Sequence, residues 1–315
     1  MSPNAKGALF ALLGFALFSA HDVIVKYLGG TYSTFQILFF SVLFSFPMVL
    51  TMHLRERSSQ DLIPKHPWWS TLRVVATVIT GISAFYAFSV LPMAQVYAFL
   101  FCMPLVITVL SIPILGEKVG IHRGGAVIVG LIGVMIVLRP GSTEFTLGHI
   151  AALTAAMFGG LGSLIVRKIG QDERNIVLLL YPMFANLLLM GLLMPSSYVP
   201  LELLDLGALA LMAIMASIAQ LCIILAYKSG EAAVVAPMHY SQMIWAIIYG
   251  FFIFQEWPDA MTLIGSFVII VSGSYVVFRE SRKKVSQNTP VLRNRSRADT
   301  GIVPRTSFLD KTLNN

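Results

Sequence analysis

The feature that most constrains this sequence is an apolar hairpin that the chain contains twice. Residues 94–139 form a long apolar run, a polar break at 116–123 and a second apolar run that ends on an arginine. Residues 233–279 repeat this pattern, and a repeated pair of membrane-length runs is typical of an internally duplicated membrane protein. With one gap near the break, the identical aligned pairs include Ala94 with Ala233, Val96 with Val235, Glu117 with Glu256, Gly125 with Gly265, Gly133 with Gly273, Val137 with Val277 and Arg139 with Arg279.

The composition excludes an ordinary soluble domain. Of 315 residues, 57% are hydrophobic and only 12% are charged, and the mean hydropathy is +0.79. Soluble domains usually carry about 25% charged residues. The apolar runs have the length of roughly 20 residues that a helix needs to cross a bilayer, and they lack the alternation of a barrel strand. We therefore predict a helical integral membrane protein.

The opening spans of the two halves also correspond, so the duplicated unit has five helices. We predict an all-α integral membrane fold of ten transmembrane helices, arranged as two inverted five-helix repeats at residues 5–140 and 146–280. The corresponding positions, called repeat counterparts below, include Gly7 with Gly148, Ile24 with Ile165, Val25 with Val166, Lys26 with Arg167 and Gly29 with Gly170. The predicted spans are 6–28, 32–53, 69–91, 94–115, 120–139, 147–168, 175–195, 204–228, 232–255 and 259–279.

The positive charges predict the orientation. Because five is odd, the second repeat enters the membrane inverted, and both termini lie on one side. All but two of the 22 Lys and Arg residues, Lys26 and Arg139, then lie on that side, which is the cytoplasmic one. We expect a multi-pass protein of the cell inner (plasma) membrane. Much of the net charge of +7 falls in residues 281–315, which we expect to be a disordered tail on anionic lipid; we expect no nucleic-acid partner.

Three ionisable residues fall well inside predicted spans, where a charge is costly: Asp22, His21 and His239. Asp22 precedes Lys26 by one helical turn, so an ion pair within the helix is one interpretation. The other is that Asp22 faces a cavity and binds a cationic group or a coupling proton. Its repeat counterpart is Ser163, so the acid belongs to one half only.

Aromatic residues mark the fourth and ninth spans at equivalent depth. Tyr240 aligns with Phe101, and Tyr97 shares a helical stripe with Phe101. A planar heterocycle stacked between such rings, with His239 bonding its edge, is one interpretation, and simple packing of an aromatic stripe is the other. The further candidates for substrate binding are Gln95, Gln242 and Trp245, together with Tyr86 and Gln220, which interhelical hydrogen bonding also explains.

No catalytic motif is present. HExxH, a Walker loop, paired acidic metal motifs and a GxSxG elbow are all absent from the sequence. The two cysteines, Cys102 and Cys222, lie inside apolar runs and are not repeat counterparts, so neither a disulfide nor a metal site is expected. We expect no cofactor and no enzymatic activity. A membrane scaffold and an intramembrane enzyme are the alternatives outside transport.

Three segments resemble one known family. "ILGEK" at 114–118, "GGAVIVGLIGVMIVLRPG" at 124–141 and the duplicated five-helix unit are similar to the EamA-type family of the drug/metabolite transporter superfamily. The resemblance implies carriers of small organic molecules, with a central cavity between the halves that is lined largely by the third, fourth, eighth and ninth helices, with parts of the first and sixth. "HDVIVKYL" at 21–28 resembles the bacterial subgroup that imports riboflavin and S-adenosylmethionine. We therefore expect riboflavin uptake first, S-adenosylmethionine uptake second, and export of amino acids or drugs third.

Overall fold

The computed structural model describes residues 3–55, 63–116, 119–139, 144–170, 172–230 and 232–281, and these ranges are helical with no strand. The predicted tail and Glu117 lie outside the described residues. Short 3₁₀ helices occupy Met194–Ser197 and Ala236–Ser241. The α-helices are α1 (Pro3–Gly29), α2 (Thr34–Arg55), α3 (Pro67–Val90), α4 (Met93–Leu100), α5 (Met103–Leu115), α6 (Ile121–Leu138), α7 (Leu147–Ile169), α8 (Asn175–Leu193), α9 (Leu203–Ser229), α10 (Ala232–Val235), α11 (Gln242–Phe254) and α12 (Ala260–Ser281).

Within the described residues, eight helical segments are long and apolar enough to cross a membrane. The prediction of a helical multi-pass membrane protein is thus confirmed. The predicted second span coincides with α2, of which Thr34–Pro47 is a shorter apolar helix. The predicted ninth span is divided among α10, the 3₁₀ helix Ala236–Ser241 and α11. The eight segments are Asn4–Gly29, Pro67–Val90, Met93–Leu115, Ile121–Leu138, Leu147–Ile169, Ile176–Ser197, Leu203–Tyr227 and Ala260–Phe278.

Two predicted spans, 94–115 and 232–255, are interrupted in the structure. The first is broken between α4 and α5, and the second contains the 3₁₀ helix Ala236–Ser241. A proline lies near the start of the element that follows each break, Pro104 in α5 and Pro237 in the 3₁₀ helix. Because proline lacks an N–H group, a continuous helix across either position would lose a backbone hydrogen bond. The repeat counterparts Phe101 and Tyr240 lie at the two breaks.

Helices of residues 5–139 pack mainly on helices of residues 146–279. The main pairs are α1 with α9, α3 with α7 and α6 with α12. At the last crossing the two backbones touch: a Cβ added to Gly133 would lie 2.9 Å from the carbonyl oxygen of Gly265, and one added to Gly265 would lie 2.7 Å from that of Gly133. Only glycine permits so close an approach, as is common between membrane helices.

Polar contacts join the loops at each end of the bundle. At one end the Tyr32 hydroxyl donates to Asp205 in the first turn of α9 at 2.6 Å, and this bond, together with burial, raises the pKa of the Tyr32 hydroxyl. At the other end the Glu173 carboxylate accepts a hydrogen bond from the His66 N–H at the start of α3, at 2.5 Å. The Tyr32 hydroxyl also accepts the Glu202 N–H at the start of α9, at 3.4 Å, so Tyr32 and Glu173 each satisfy a backbone N–H at the start of a helix from the other half of the chain.

The core lies around α4 and the two breaks. The largest side chains that are almost completely buried, with exposures of 2% or less, include Phe88, Tyr97, Phe99 and Phe101. By contrast, large apolar side chains such as Phe252 on α11 are mostly exposed, at 71%, as expected for surfaces that face lipid rather than water. The interior of the bundle therefore contains the large aromatic side chains of α3, α4 and the first helix break.

Candidate functional site

The candidate site begins with Asp22, which is 2% exposed near the end of α1. The Tyr97 hydroxyl of α4 donates a hydrogen bond to Asp22 Oδ2, and the His21 Nδ1 atom lies 2.9 Å from Asp22 Oδ1. The Ser19 Oγ atom lies 3.1 Å from the Tyr97 hydroxyl oxygen. A buried carboxylate needs such partners, since an unsolvated charge is costly. Asp22, His21, Tyr97 and Ser19 are called the acid cluster below.

Lys26 has a different acidic partner from the one the sequence spacing suggested. Its ammonium group lies 2.9 Å from Glu256 Oε1 and donates to the carbonyl oxygen of Leu91 at 2.7 Å. The Glu256 Oε2 atom also accepts from the N–H of Met93, the first residue of α4, at 3.4 Å. Glu256 therefore serves the start of α4, a helix of the other half of the chain. At the start of α12 it is Asp259 that accepts the Thr262 N–H, at 2.8 Å.

A second interrupted helix reaches the acid cluster through Gln242, the first residue of α11. The Gln242 side chain is 1% exposed, and its Nε2 atom lies 3.5 Å from the Tyr97 hydroxyl. The acid cluster therefore touches α1 and α4 of the first half and α11 of the second. Carbonyl and amide groups near such helix breaks are typical ligands in membrane carriers.

Four rings extend from the acid cluster to the helix breaks: Phe15, Phe101, His239 and Tyr240. They are called the aromatic cluster below. Phe101 contacts His239 at 5.4 Å and Tyr240 at 5.1 Å between ring centroids, both edge to face. Phe15 of α1 lies 5.2 Å from His239, and Tyr97 joins the two clusters at 6.1 Å from Phe101. The repeat counterparts Phe101 and Tyr240 are thus in direct contact.

The rings of Phe101 and Tyr240 contact each other instead of leaving a gap. A ring stacked between two others needs about 7 Å between their planes, because carbon atoms approach to about 3.5 Å on each face. Their observed separation of 5.1 Å is too short for this arrangement. In the state that the structure shows, a planar solute enters between these two rings only if the rings first move apart.

The Tyr240 hydroxyl does not point into the acid cluster. It lies against α12, where a Cβ added to Gly273 would be only 1.9 Å from it. The hydroxyl is buried and has no hydrogen-bond partner among the residues described. A buried hydroxyl without a partner costs free energy, so its position is set by the packing of the ring.

The remaining candidates lie outside these contacts. Trp245 stacks on Tyr249 of the same helix, with centroids 6.0 Å apart. Gln220 of α9 is 5% exposed, and within the described part of the chain neither polar atom of its side chain is hydrogen-bonded. Gln95 and Tyr86 are half-buried, and the described residues give neither side chain a hydrogen bond. Gln220 is therefore the one of these that offers unused polar atoms to a buried solute.

Two members of these clusters were not predicted. Phe15 and Ser19 precede Asp22 by seven and three positions, which places all three on one face of α1. This spacing was visible in the sequence. What was not visible is that this face meets Tyr97 and His239, since that depends on how α1 packs against the interrupted helices.

The fold and the clusters define a helical membrane protein whose buried polar and aromatic residues lie where two interrupted helices meet. The family comparison makes this class specific. Residues 5–139 and 146–279 both match the EamA-like transporter family, so the chain belongs to that family. The predicted resemblance is confirmed. The family and the named relatives below are transporters.

Curated relatives span almost the whole chain. The S-adenosylmethionine uptake transporter of Rickettsia bellii is 26% identical over 86% of this chain and 93% of its own length. The riboflavin transporter of Vibrio cholerae is 29% identical, covering 88% and 95% respectively. The pseudopaline exporter CntI of Pseudomonas aeruginosa is 22% identical, covering 84% and 94%. Together they indicate a transporter of small metabolites.

The crystal structure of one other protein has a similar fold. Its TM-score is 0.60, its sequence identity is 16%, and the match covers 86% of this chain and 96% of that one. This likeness concerns the fold alone.

Proposed function

We propose that this protein is a secondary transporter that takes up a planar metabolite across the bacterial inner membrane by alternating access. Riboflavin is the first substrate to test. The observation that carries the proposal is the position of the acid and aromatic clusters at the meeting point of two interrupted helices. Discontinuous helices at the interface between repeats commonly build carrier binding sites.

The transport mechanism requires ten spans in two inverted repeats, at residues 5–140 and 146–280, with both termini cytoplasmic. The packing of α1 and α7, which are repeat counterparts, supports the inversion of the second repeat. A Cβ added to Gly7, at the start of α1, would lie 2.7 Å from Gly230, whereas Lys26, at its end, binds Leu91. A Cβ on Gly148, at the start of α7, would lie 2.8 Å from the same Leu91. The helix α7 thus begins where α1 ends.

A neutral aromatic solute fits the residue types of the site. Phe101, His239 and Tyr97 offer rings and polar edges that such a solute can contact. The closed rings then represent an occluded state without solute. Separation of the two halves would open a gap between Phe101 and Tyr240, which is the motion that alternating access requires.

S-adenosylmethionine is the second candidate, and Asp22 is the observation that favours it. A buried carboxylate beside aromatic rings suits a cationic sulfonium group attached to a purine. Four relatives from Rickettsia species carry that substrate in their names. The two candidates differ in whether Asp22 contacts the solute.

The test is counterflow of labelled riboflavin, and separately of labelled S-adenosylmethionine, in proteoliposomes that contain the purified protein. Phe101→Leu is expected to slow counterflow of the true substrate by about tenfold, which corresponds to the loss of one aromatic contact of about 1.4 kcal/mol. Phe252→Leu is the matched control, because Phe252 is 71% exposed on α11 and should face lipid.

Monodispersity of each variant on size exclusion separates misfolding from loss of the site. Counterflow at the wild-type rate in folded Phe101→Leu would show that the aromatic cluster is not the binding site. Absence of counterflow for both solutes by the wild type would contradict both substrate proposals. Reporter fusions that place the two termini on opposite faces of the membrane would contradict the inverted-repeat topology.

A further inference from the structure

We infer that Asp22, with His21 and Tyr97, binds the proton that drives transport. The inference rests on the proposed function as a secondary transporter. A carrier that concentrates a neutral solute without hydrolysing a nucleotide must take its free energy from an ion gradient. The acid cluster offers a buried carboxylate that is 2% exposed and already surrounded by groups able to exchange a proton with it.

The Tyr97 hydroxyl can change its hydrogen-bond acceptor when Asp22 is protonated, without any movement of the Tyr97 ring. It has two acceptors within reach, Asp22 Oδ2 and, at 3.1 Å, Ser19 Oγ. When the carboxylate is ionised, the hydroxyl donates to it. When a proton binds at Oδ1, the new O–H donates to His21 Nδ1, and the Tyr97 hydroxyl keeps a weaker bond to the neutral carboxyl group. When the proton lies on Oδ2, that O–H donates to the Tyr97 oxygen, and the Tyr97 proton turns towards Ser19. Both states keep their hydrogen bonds, so neither leaves a buried polar group unsatisfied.

His21 provides a path for the proton to Asp22. Its Nδ1 atom lies 2.9 Å from Asp22 Oδ1, and its ring is 1% exposed. The other nitrogen, Nε2, has no hydrogen-bond partner in the described part of the chain. The ring edge packs on Phe85, with centroids 6.1 Å apart. A proton that arrives at Nε2 lets the imidazole release the proton on Nδ1 to Asp22, and only the tautomer of the ring changes.

Protonation at this point changes the bonds that connect α1 with both interrupted helices. The carboxylate holds Tyr97 of α4, and the Tyr97 hydroxyl lies 3.5 Å from Gln242 of α11. Neutralising Asp22 weakens a charge-assisted bond to α4 and redirects the Tyr97 hydroxyl. Because α11 belongs to the second half, the effect reaches the interface between the halves. Opening the aromatic cluster becomes easier in one protonation state than in the other, which is what coupling requires.

The other titratable groups around this part of α1 are accounted for. Lys26, one turn further along α1, is paired with Glu256 at 2.9 Å. The repeat counterpart of Asp22 is Ser163, so the second half contributes no equivalent acid. Among the side chains that the structure describes, the helices in contact with α1 also carry Arg73 and Tyr86 on α3, Asp205, Cys222 and Tyr227 on α9, and Tyr249 on α11, and the 3₁₀ helix carries His239 and Tyr240.

The experiment compares wild type with Asp22→Asn in proteoliposomes loaded or unloaded with riboflavin. In wild type, an outside-acid gradient of one pH unit should sustain up to about tenfold accumulation if one proton accompanies each solute. Asp22→Asn should lose the response to the pH gradient, so whatever riboflavin it still transports should only equilibrate, and its counterflow rate should no longer depend on pH. Asp172→Asn is the matched control, because Asp172 is exposed at the loop before α8, and it should accumulate like wild type.

Each other outcome overturns the inference and has a distinct meaning. Counterflow by wild type without any effect of the gradient would leave the transporter proposal standing and exclude proton coupling. Accumulation by Asp22→Asn would place the proton elsewhere. Loss of counterflow as well as accumulation in a folded Asp22→Asn protein, with S-adenosylmethionine as the transported solute, would show that Asp22 binds the solute itself.

A measurement without solute keeps the inference testable if neither compound is transported. Infrared difference spectra of the detergent-solubilised protein between neutral and acidic pH should contain a protonated-carboxyl band that Asp22→Asn lacks and Asp172→Asn retains. An identical band in wild type and Asp22→Asn would overturn the inference. His21→Gln should slow proton-driven uptake without lowering the final accumulation, since it removes the path and leaves the site.

Discussion

The contact between Tyr240 and Gly273 allows a prediction that separates packing from solute binding. A Cβ at position 273 would lie 1.9 Å from the Tyr240 hydroxyl oxygen and 3.0 Å from the ring carbon that carries it. Gly273→Ala therefore forces the ring to shift. Tyr240→Phe removes the atom responsible for the shortest contact. The double variant should then return to about the stability of wild type, because the shortest contact is gone, and with it a buried hydroxyl that has no partner among the residues described.

The size of the effect follows from three contributions. Overpacking of a close contact costs about 1–3 kcal/mol, and alanine in place of glycine inside a helix returns about 0.5–1 kcal/mol. Gly273→Ala should thus lower the free energy of unfolding by about 1–2 kcal/mol. Removing the Tyr240 hydroxyl, which has no hydrogen-bond partner in the described part of the chain, should raise it by about 1 kcal/mol or more. The two changes should couple by about 1 kcal/mol or more.

The assay is the apparent melting temperature of the protein in detergent, read as the monodisperse fraction after heating. At about 2–4 °C for each kcal/mol, Gly273→Ala should melt about 2–8 °C below wild type, and the double variant should approach it. Gly125→Ala is the control, because nothing lies within 4 Å of a Cβ at Gly125. Additive effects of Tyr240→Phe and Gly273→Ala would refute this reasoning. So would a loss of counterflow in Tyr240→Phe alone, because the hydroxyl would then contact solute.

Three further predictions concern the helix crossing and the ends of the bundle. Gly265→Ala should lower the apparent melting temperature, whereas Gly125→Ala, its repeat counterpart in open space, should not; equal shifts would contradict the crossing. Lys26→Glu and Glu256→Lys should each impair stability and counterflow, and the exchanged pair should recover part of both; no recovery would show that the 2.9 Å ion pair does not matter. The apparent melting temperature of Tyr32→Phe should lie below that of wild type by a constant difference up to about pH 10. The pKa of the Tyr32 hydroxyl is raised above its ordinary 10.0, so the difference should shrink as the pH rises further. A difference that does not depend on pH would contradict the bond to Asp205.

The sequence by itself determined the kind of molecule. Apolar runs of membrane length exclude a soluble fold, and matching positions along the two halves predict the duplication. The alignment of Phe101 with Tyr240 placed both rings at equivalent depth, and the structure shows that they are in direct contact. The membrane class and the duplication could be predicted because hydrophobic length and repetition are properties of the chain that do not depend on how the helices pack.

The tertiary structure alone decided which side chains act on one another. Only the structure shows that Lys26 pairs with Glu256, that Trp245 stacks on Tyr249, and that the Tyr240 hydroxyl lies against α12. It also interrupted the two spans that the hydropathy pattern showed as continuous. Hydropathy averages over a window and is insensitive to a break, and partner choice depends on distances between helices that are remote in sequence. The acid cluster forms only because α1 packs beside the two interrupted helices, which carry Tyr97 and Gln242.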